Sequence, residues 1–259
     1  MVKHAPRFYR MLLSSSVLLS LFSNVHAVSK RKPDDVPMTQ QRVESIIQRY
    51  INANPDLVYQ ALVKYQKKQQ EKQAQNTLDY LKNNFEMVFK NPKDGTIGNP
   101  DGNIHLVVLS DRQCGYCKKA WHSMENLVNN NKAVRVSFKE VPILGPASVH
   151  AAKIAIYAQQ KGVFSGVDRA LIEASTPLDN SKISQIALQN GLTQEDVKAA
   201  TESDSITQTL QENMKMAQEI GLQGTPMLFI ASANGKKVAQ LNNFMDENAV
   251  SAMIASFQK

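Results

Sequence analysis

The feature that most restricts this chain is an apolar run that closes on a Cys-x-x-Cys pair. Ile104 to Leu109 reads as a buried strand, Ser110-Asp111-Arg112-Gln113 follows, and then comes Cys114-Gly115-Tyr116-Cys117. These are the only two cysteines in 259 residues. After them Ala120, Trp121, Met124, Leu127 and Val128 recur at helical spacing. Strand, Cys-x-x-Cys, helix is the layout of a thiol redox site. Cys114 falls at the helix N-terminus, where unsatisfied N–H groups and the helix dipole favour a thiolate. Cys117 lies a turn further in, shielded and placed to attack a mixed disulfide formed at Cys114.

The N-terminus decides how such cysteines are read. Residues 1–27 have the pattern of a secretory signal peptide: basic Lys3, Arg7 and Arg10, an apolar run from Met11 to Phe22, and compact residues around Val25-His26-Ala27. The run is too short and serine-rich to read as an anchor, since a span needs roughly 20 apolar residues. Secreted cysteines usually form structural staples, but a bridge across so short a loop removes little chain entropy. A strained, exchangeable pair suits catalysis better. The composition, 42% hydrophobic and 20% charged, is that of one or two globular domains. The net charge of +7 owes three units to the leader, and the remaining lysines are scattered, so no nucleic-acid partner is implied.

Residues 28–38 are polar and proline-punctuated and read as a flexible leader. Thr39 is placed to cap a helix carrying Val43, Ile46, Ile47, Tyr50 and Ile51 on one face, and Asn54-Pro55 to open a second with Leu57, Val58, Ala61, Leu62 and Tyr65. A Lys/Gln/Glu-rich helical stretch runs from Lys64 to Gln75, and Leu78, Leu81, Phe85 and Val88 resume an apolar stripe. Residues 39–90 are therefore expected to form an N-terminal α-helical extension. It cannot bury its apolar faces alone. It must dock on the rest of the chain or on a second copy, and the reading adopted is a dimerisation arm.

Turn clusters at Asn91–Gly95 and Gly98–Gly102 mark the boundary to an α/β domain over 96–259. Ala133 to Val141 alternates as a strand, which with the first strand and the motif helix makes a βαβ unit. Residues 147–220 read as an inserted helical subdomain, broken near Gly162, Thr176-Pro177, Asn190-Gly191 and Asp204, with Thr193 and Asp196 as a capping pair. Thr225-Pro226 precedes the apolar Met227-Leu228-Phe229-Ile230; beside an upstream Cys-x-x-Cys a cis bond is expected there. Ala233-Asn234-Gly235-Lys236 signals a hairpin, and Asp246 caps a last helix.

Strand–CGYC–helix, a helical insertion, Gly224-Thr225-Pro226 before a hairpin and a C-terminal helix resemble the bacterial DsbA family over about residues 96–259. Phe138 to Pro146 resembles a segment common in secreted DsbA-like proteins. The N-terminal helices resemble the dimerising extension of the DsbA-like subgroup that includes ScsC. The resemblance implies a thioredoxin-like fold with an inserted helical subdomain and thiol–disulfide interchange activity. It also implies a membrane regenerating partner of the DsbB or DsbD kind. Gly115-Tyr116, Asp111 and Thr225 before Pro226 are similar to the DsbC and DsbG isomerases, which tilts the expected chemistry from oxidation toward shuffling. Where the family carries a buried acid six residues before the first cysteine, this chain has Val108. A proton acceptor for Cys117 must come from elsewhere, with Asp111 and Glu140 the candidates and Lys139 a neighbour.

The expected site is thus Cys114 as nucleophile and Cys117 as its resolving partner. Gly115 and Tyr116 tune the thiolate, and Thr225 and Pro226 offer a backbone edge to substrate. The expected setting is the periplasm, the substrates secreted proteins with cysteines, and the cofactor none beyond the cysteine pair. A zinc site would have only His105, His122 and His150 to add to the cysteines in the mature chain, and none is expected. The competing reading is a non-catalytic chaperone or surface protein on the same scaffold.

Overall fold

The computed structural model describes residues 37–175 and 177–258. The segment expected to be a signal peptide and all but the end of the expected leader lie outside the described residues, as do Thr176 and Lys259. The chain divides into two compact units, Met1–Tyr59 and Gln60–Lys259.

In the first unit, helix α1 (Gln40–Ala53) begins as expected: the Thr39 side chain accepts from Arg42 N. None of its residues is buried, and Val43, Ile46, Ile47, Tyr50 and Ile51 are exposed. Helix α2 spans Pro55–Asn83. Asn54 does not cap it. Its amide donates to Tyr50 O at 2.8 Å and closes α1 instead. A side chain this short satisfies either the carbonyl behind or the N–H groups ahead, and here the free α1 carbonyl takes it.

The second unit is built on a five-stranded sheet of order β1-β3-β2-β4-β5: β1 Gly95–Gly98, β2 Ile104–Ser110, β3 Val134–Glu140, β4 Met227–Ser232 and β5 Val238–Gln240. The expected parallel pairing of β2 and β3 is present, with Val108 opposite Phe138 and Ser110 opposite Glu140. β4 runs antiparallel to β2 and continues through the hairpin into β5. β1 is a strand that the sequence reading left as turn. Four residues with a glycine at each end carry no alternation, and only pairing with β3 makes them a strand.

β2 is buried along its whole length, which is why it reads as a continuous apolar run. Its Ile104, Leu106 and Val108 face Trp121, Met124 and Val128 of α4 (Gly115–Asn130) and Val250 and Ile254. Its Val107 and Leu109 face the other way, onto Leu81, Val88, Phe89 and Met216. That second face changes the expected boundary. Thr77 and Leu81 near the end of α2, and Val88 and Phe89 of α3 (Phe85–Phe89), are buried in this unit, and Thr77 Oγ1 donates to Ile220 O at 3.0 Å. The stripe resumed at Leu78 covers one side of the sheet because a sheet buried on both faces needs a layer on each.

The helical insertion forms as α5 (Pro146–Gln160), α6 (Phe164–Glu173), α7 (Asn180–Gln189), α8 (Gln194–Glu202) and α9 (Asp204–Glu219). It has a core of its own around Ile154, Leu171, Ile183 and Leu192. The Thr193–Asp196 capping box is present. The last helix, α10 (Glu247–Gln258), starts at Asp246, whose carboxylate accepts from Asn248 N and Ala249 N. Among the described residues no helix is long and apolar enough to cross a membrane.

Candidate active site

β2 delivers the chain to the edge of the sheet, and α4 begins at once. Cys114 is the N-cap of α4, with extended backbone. It is half-buried; Cys117, one turn on, is buried, and both are free thiols. Facing them, the Thr225–Pro226 bond is cis, as the sequence led one to expect. Cys114 Sγ donates to Thr225 O at 3.2 Å. The expected substrate edge and the expected nucleophile are thus adjacent, although 111 residues separate them.

The two thiols titrate in opposite directions. The Cys114 thiol is lowered to about 5, first by the hydrogen bond from Cys117, against some desolvation, and further by Thr225 and the N–H groups of Cys117 and Tyr116. Those N–H groups are the orphan donors of a helix start. Cys117 is pushed up, first because its S–H is committed to Cys114 and then by burial, which outweigh the Asp111 N–H donated to its Sγ at 3.4 Å. The pair is therefore divided into a half-exposed thiolate and a hidden thiol.

Gly115 and Tyr116 lie on the open side. A Cβ at Gly115 would meet nothing within 4 Å, and Tyr116 is 61% exposed with Lys119 Nζ 5.5 Å from its ring centre. Ile143 and Leu144 are also exposed. Their backbone is tied to the site, because Asp111 Oδ2 accepts from Ile143 N at 2.8 Å and Leu144 N at 3.0 Å. Asp111 Oδ1 accepts from Gln113 N and Ser148 Oγ, each at 2.8 Å. With both oxygens occupied, Asp111 is a clamp on the loop before α5. Gly145 completes that loop with φ +112°, a conformation that side chains rarely adopt.

Glu140 ends β3 on the face that also carries Val108, two pairing rows beyond Phe138. Burial pushes its carboxyl up to about 8 despite the opposing charge of Arg112, and the Asp168 charge adds to the rise. Lys139 faces the opposite side of the sheet and pairs with buried Asp94 at 2.7 Å. The neighbouring strand thus ends on a buried acid.

Sequence reasoning overlooked three residues here. Arg112 is buried between Glu140 and Asp168 of α6. The Gln113 amide brackets Leu178, donating to its O at 2.6 Å and accepting from its N at 2.9 Å. Lys118 Nζ donates to Ala174 O. Their partners lie 28 to 65 residues away, so no local pattern marks them. Among the described residues no cluster of three or more His, Cys, Asp or Glu side chains is arranged to hold a metal. His122 is exposed on α4.

Known structures are similar in fold. A thioredoxin-like oxidoreductase from Silicibacter pomeroyi DSS-3 is 27% identical, with TM-score 0.58, covering 66% of this chain and 97% of its own. Proteus mirabilis ScsC in a transitional conformation is 22% identical, with TM-score 0.57 and 83% and 97% coverage. BcfH from Salmonella enterica Typhimurium is 20% identical, with TM-score 0.68 and 85% and 96% coverage. The latter two speak for the fold. No curated protein sequence gives a significant match. Residues 105–256 match the DSBA-like thioredoxin domain, and with the cysteine pair, the cis-proline edge and the helical insertion all inside that span, the chain belongs to this family of thiol–disulfide exchange proteins.

Proposed function

We propose that this protein is a periplasmic thiol–disulfide oxidoreductase, exported by a cleavable signal peptide over residues 1–27, that forms and isomerises disulfides in secreted proteins. One observation carries the reading: a half-exposed thiol, lowered to about 5, stands beside a buried thiol and against the Thr225 carbonyl. Reduced Cys114 attacks a substrate disulfide, forming a mixed disulfide and releasing a substrate thiolate. A different substrate thiolate then attacks the substrate sulfur of the mixed disulfide, forming a new substrate disulfide and displacing Cys114, which is isomerisation, or Cys117 attacks Cys114 Sγ and the substrate leaves as a thiolate. Run from the Cys114–Cys117 disulfide, a substrate thiolate attacks Cys114 and a second one displaces it, which is oxidation. Where Cys114 is displaced, in isomerisation and oxidation, its low basicity makes it a good leaving group. The backbone at Thr225–Pro226 pairs with the client, and exposed Tyr116, Ile143 and Leu144 give its apolar side chains a surface. Gly115-Tyr116 and Thr225 favour isomerisation.

Between the two proton-relay candidates we take Glu140, since Asp111 already accepts four hydrogen bonds. A carboxyl raised to about 8 exchanges protons near working pH, as a general base for Cys117 requires. No cofactor is needed beyond the cysteine pair. A DsbB- or DsbD-like membrane protein would return that pair to its starting state. Homodimerisation belongs to the N-terminal extension, where the apolar residues of α1 and of α2 up to Tyr65 are exposed.

Two assays test the reading. Wild-type protein should reduce insulin and recover a scrambled substrate. Cys114→Ser should do neither; equal activity in the two would leave a non-catalytic scaffold as the function. Cys117→Ala should keep shuffling but accumulate mixed disulfides.

A further inference from the structure

β2 and β3 finish side by side, with Ser110 opposite Glu140, and the chain forms a connection beyond each of them at the same end of the sheet. One, over residues 111–113, leads to Cys114. The other, over residues 142–145, leads to α5, where Pro146 takes the first helical position. This second loop starts from a fixed point, because Val141 is buried and its N–H donates to Ser110 O at 2.8 Å. It then carries two apolar side chains in the open, Ile143 at 41% and Leu144 at 56% exposure. A loop that leaves its apolar side chains outside gains little from burial, so hydrogen bonds must hold it.

Asp111 supplies them. It is 1% exposed, and each of its polar atoms is engaged. Oδ2 accepts from the Ile143 and Leu144 amides, and Oδ1 accepts from Gln113 N and from Ser148 Oγ in the first turn of α5. Its own N–H donates to Cys117 Sγ at 3.4 Å, and its carbonyl accepts from Cys114 N at 3.0 Å. One residue therefore stands between both cysteines and the loop. All four donors on the carboxylate are neutral, and ionised oxygens hold such donors more firmly than neutral ones. An asparagine would keep one acceptor oxygen and turn an NH2 group toward the remaining donors, so it could not hold the loop and the motif turn together.

We propose that Asp111 is a positioning residue that sets client selection. By pinning the amides of Ile143 and Leu144 inward it holds their side chains outward beside the reactive thiol, so that the protein prefers cysteines flanked by apolar residues in an extended, unfolded segment. The proposal rests on the exchange reading above. The Thr225–Pro226 edge takes the client backbone whatever its sequence, and the loop takes the side chain next to the client cysteine. Folded proteins bury such neighbours, so the preference selects chains that have not finished folding. The Asp111 carboxylate bonds to neither sulfur, so its contribution falls on binding more than on the exchange of sulfurs.

The test uses reduced full-length protein and two pentapeptides, each with its cysteine in a mixed disulfide to 5-thio-2-nitrobenzoate. One has leucine on both sides of the cysteine, the other serine. The Cys114 thiolate attacks the peptide sulfur, the Cys114–peptide bond forms, and the aryl thiolate leaves with the electron pair of the broken bond. Its absorbance in single turnovers, followed against peptide concentration, gives a limiting rate and a half-saturating concentration. In the ratio of the two, wild type should prefer the leucine peptide by about tenfold or more. Asp111→Asn should cut that preference to about twofold, and should raise the half-saturating concentration more than it lowers the limiting rate. Ile143→Ser with Leu144→Ser should do the same, and adding Asp111→Asn to that pair should cost little more, because all three act through one loop. If Asp111→Asn does not fold, Ser148→Ala, which removes one of the four donors, should show a smaller loss of the same kind. A loss confined to the limiting rate and equal for both peptides would mark a merely structural role and overturn the proposal. So would a full leucine preference in the folded variants, or a wild type without one. A wild type that releases no aryl thiolate from either peptide overturns the exchange reading itself.

Discussion

Four consecutive residues before α4 each hold a different part of the molecule. Asp111 clamps the loop before α5, Arg112 joins β3 to α6, Gln113 brackets Leu178, and Cys114 meets Thr225. Reactivity at Cys114 is therefore supported from several directions. Because the Cys117 S–H is the leading cause of the low Cys114 value, Cys117→Ala should raise it, as thiolate absorbance followed against pH would show. The depressed group also links to stability. Relative to the oxidised form, which lacks this titration, the reduced protein should gain stability between pH about 5 and the unfolded thiol value near 9, and lose it as pH falls through that window. Glu140 acts with the opposite sign. Its folded value, about 8, lies above the ordinary 4.5, so its contribution is full below pH 4.5 and is lost as pH rises toward 8. Glu140→Gln should flatten that decline, which chemical denaturation across the range would measure.

Helix α2 serves two purposes along its length. Its first half presents Leu57, Val58, Leu62 and Val63 to solvent, while its end buries Thr77 and Leu81 on the sheet. Leu81→Ala should destabilise the catalytic unit by about 2–5 kcal/mol, read from denaturant midpoints. Among the inserted helices, the Gln113–Leu178 bracket ties the α6–α7 connection to the redox turn. Gln113→Ala should cost about 1–3 kcal/mol by leaving buried backbone groups unpaired, and proteolysis near Leu178 should quicken.

At the scale of the whole molecule, the proposed dimer rests on the exposed apolar faces of the N-terminal helices. A deletion of residues 28–65 should abolish self-association in light scattering and reduce shuffling of scrambled substrates while leaving simple reduction intact. Unchanged mass would remove the dimerisation arm. Extending the cut to residue 90 would confuse this test, because it strips Leu81, Val88 and Phe89 from the core.

Reaction class and fold class were legible from the sequence alone. Cys114-Gly115-Tyr116-Cys117 between an apolar run and a helical stripe names the chemistry, and the breaks between 147 and 220 fall at the ends of α5 to α8. Thr225-Pro226 announced its cis bond through its place before a buried strand. These signals are local: a turn, a cap or a period is written in adjacent residues. What surrounds the cysteines was not local. β1 exists only as a partner to β3, and the stripe of Leu81, Phe85 and Val88 does not say that it packs on β2. Arg112, Gln113 and Asp168 look like surface residues until distant elements close over them. Glu140 could be named as a candidate, but its raised carboxyl comes from desolvation and from Asp168, against the opposing charge of Arg112, and chain closure brings these together. Tertiary structure decided these points because burial and charge proximity depend on contacts between residues far apart in the chain.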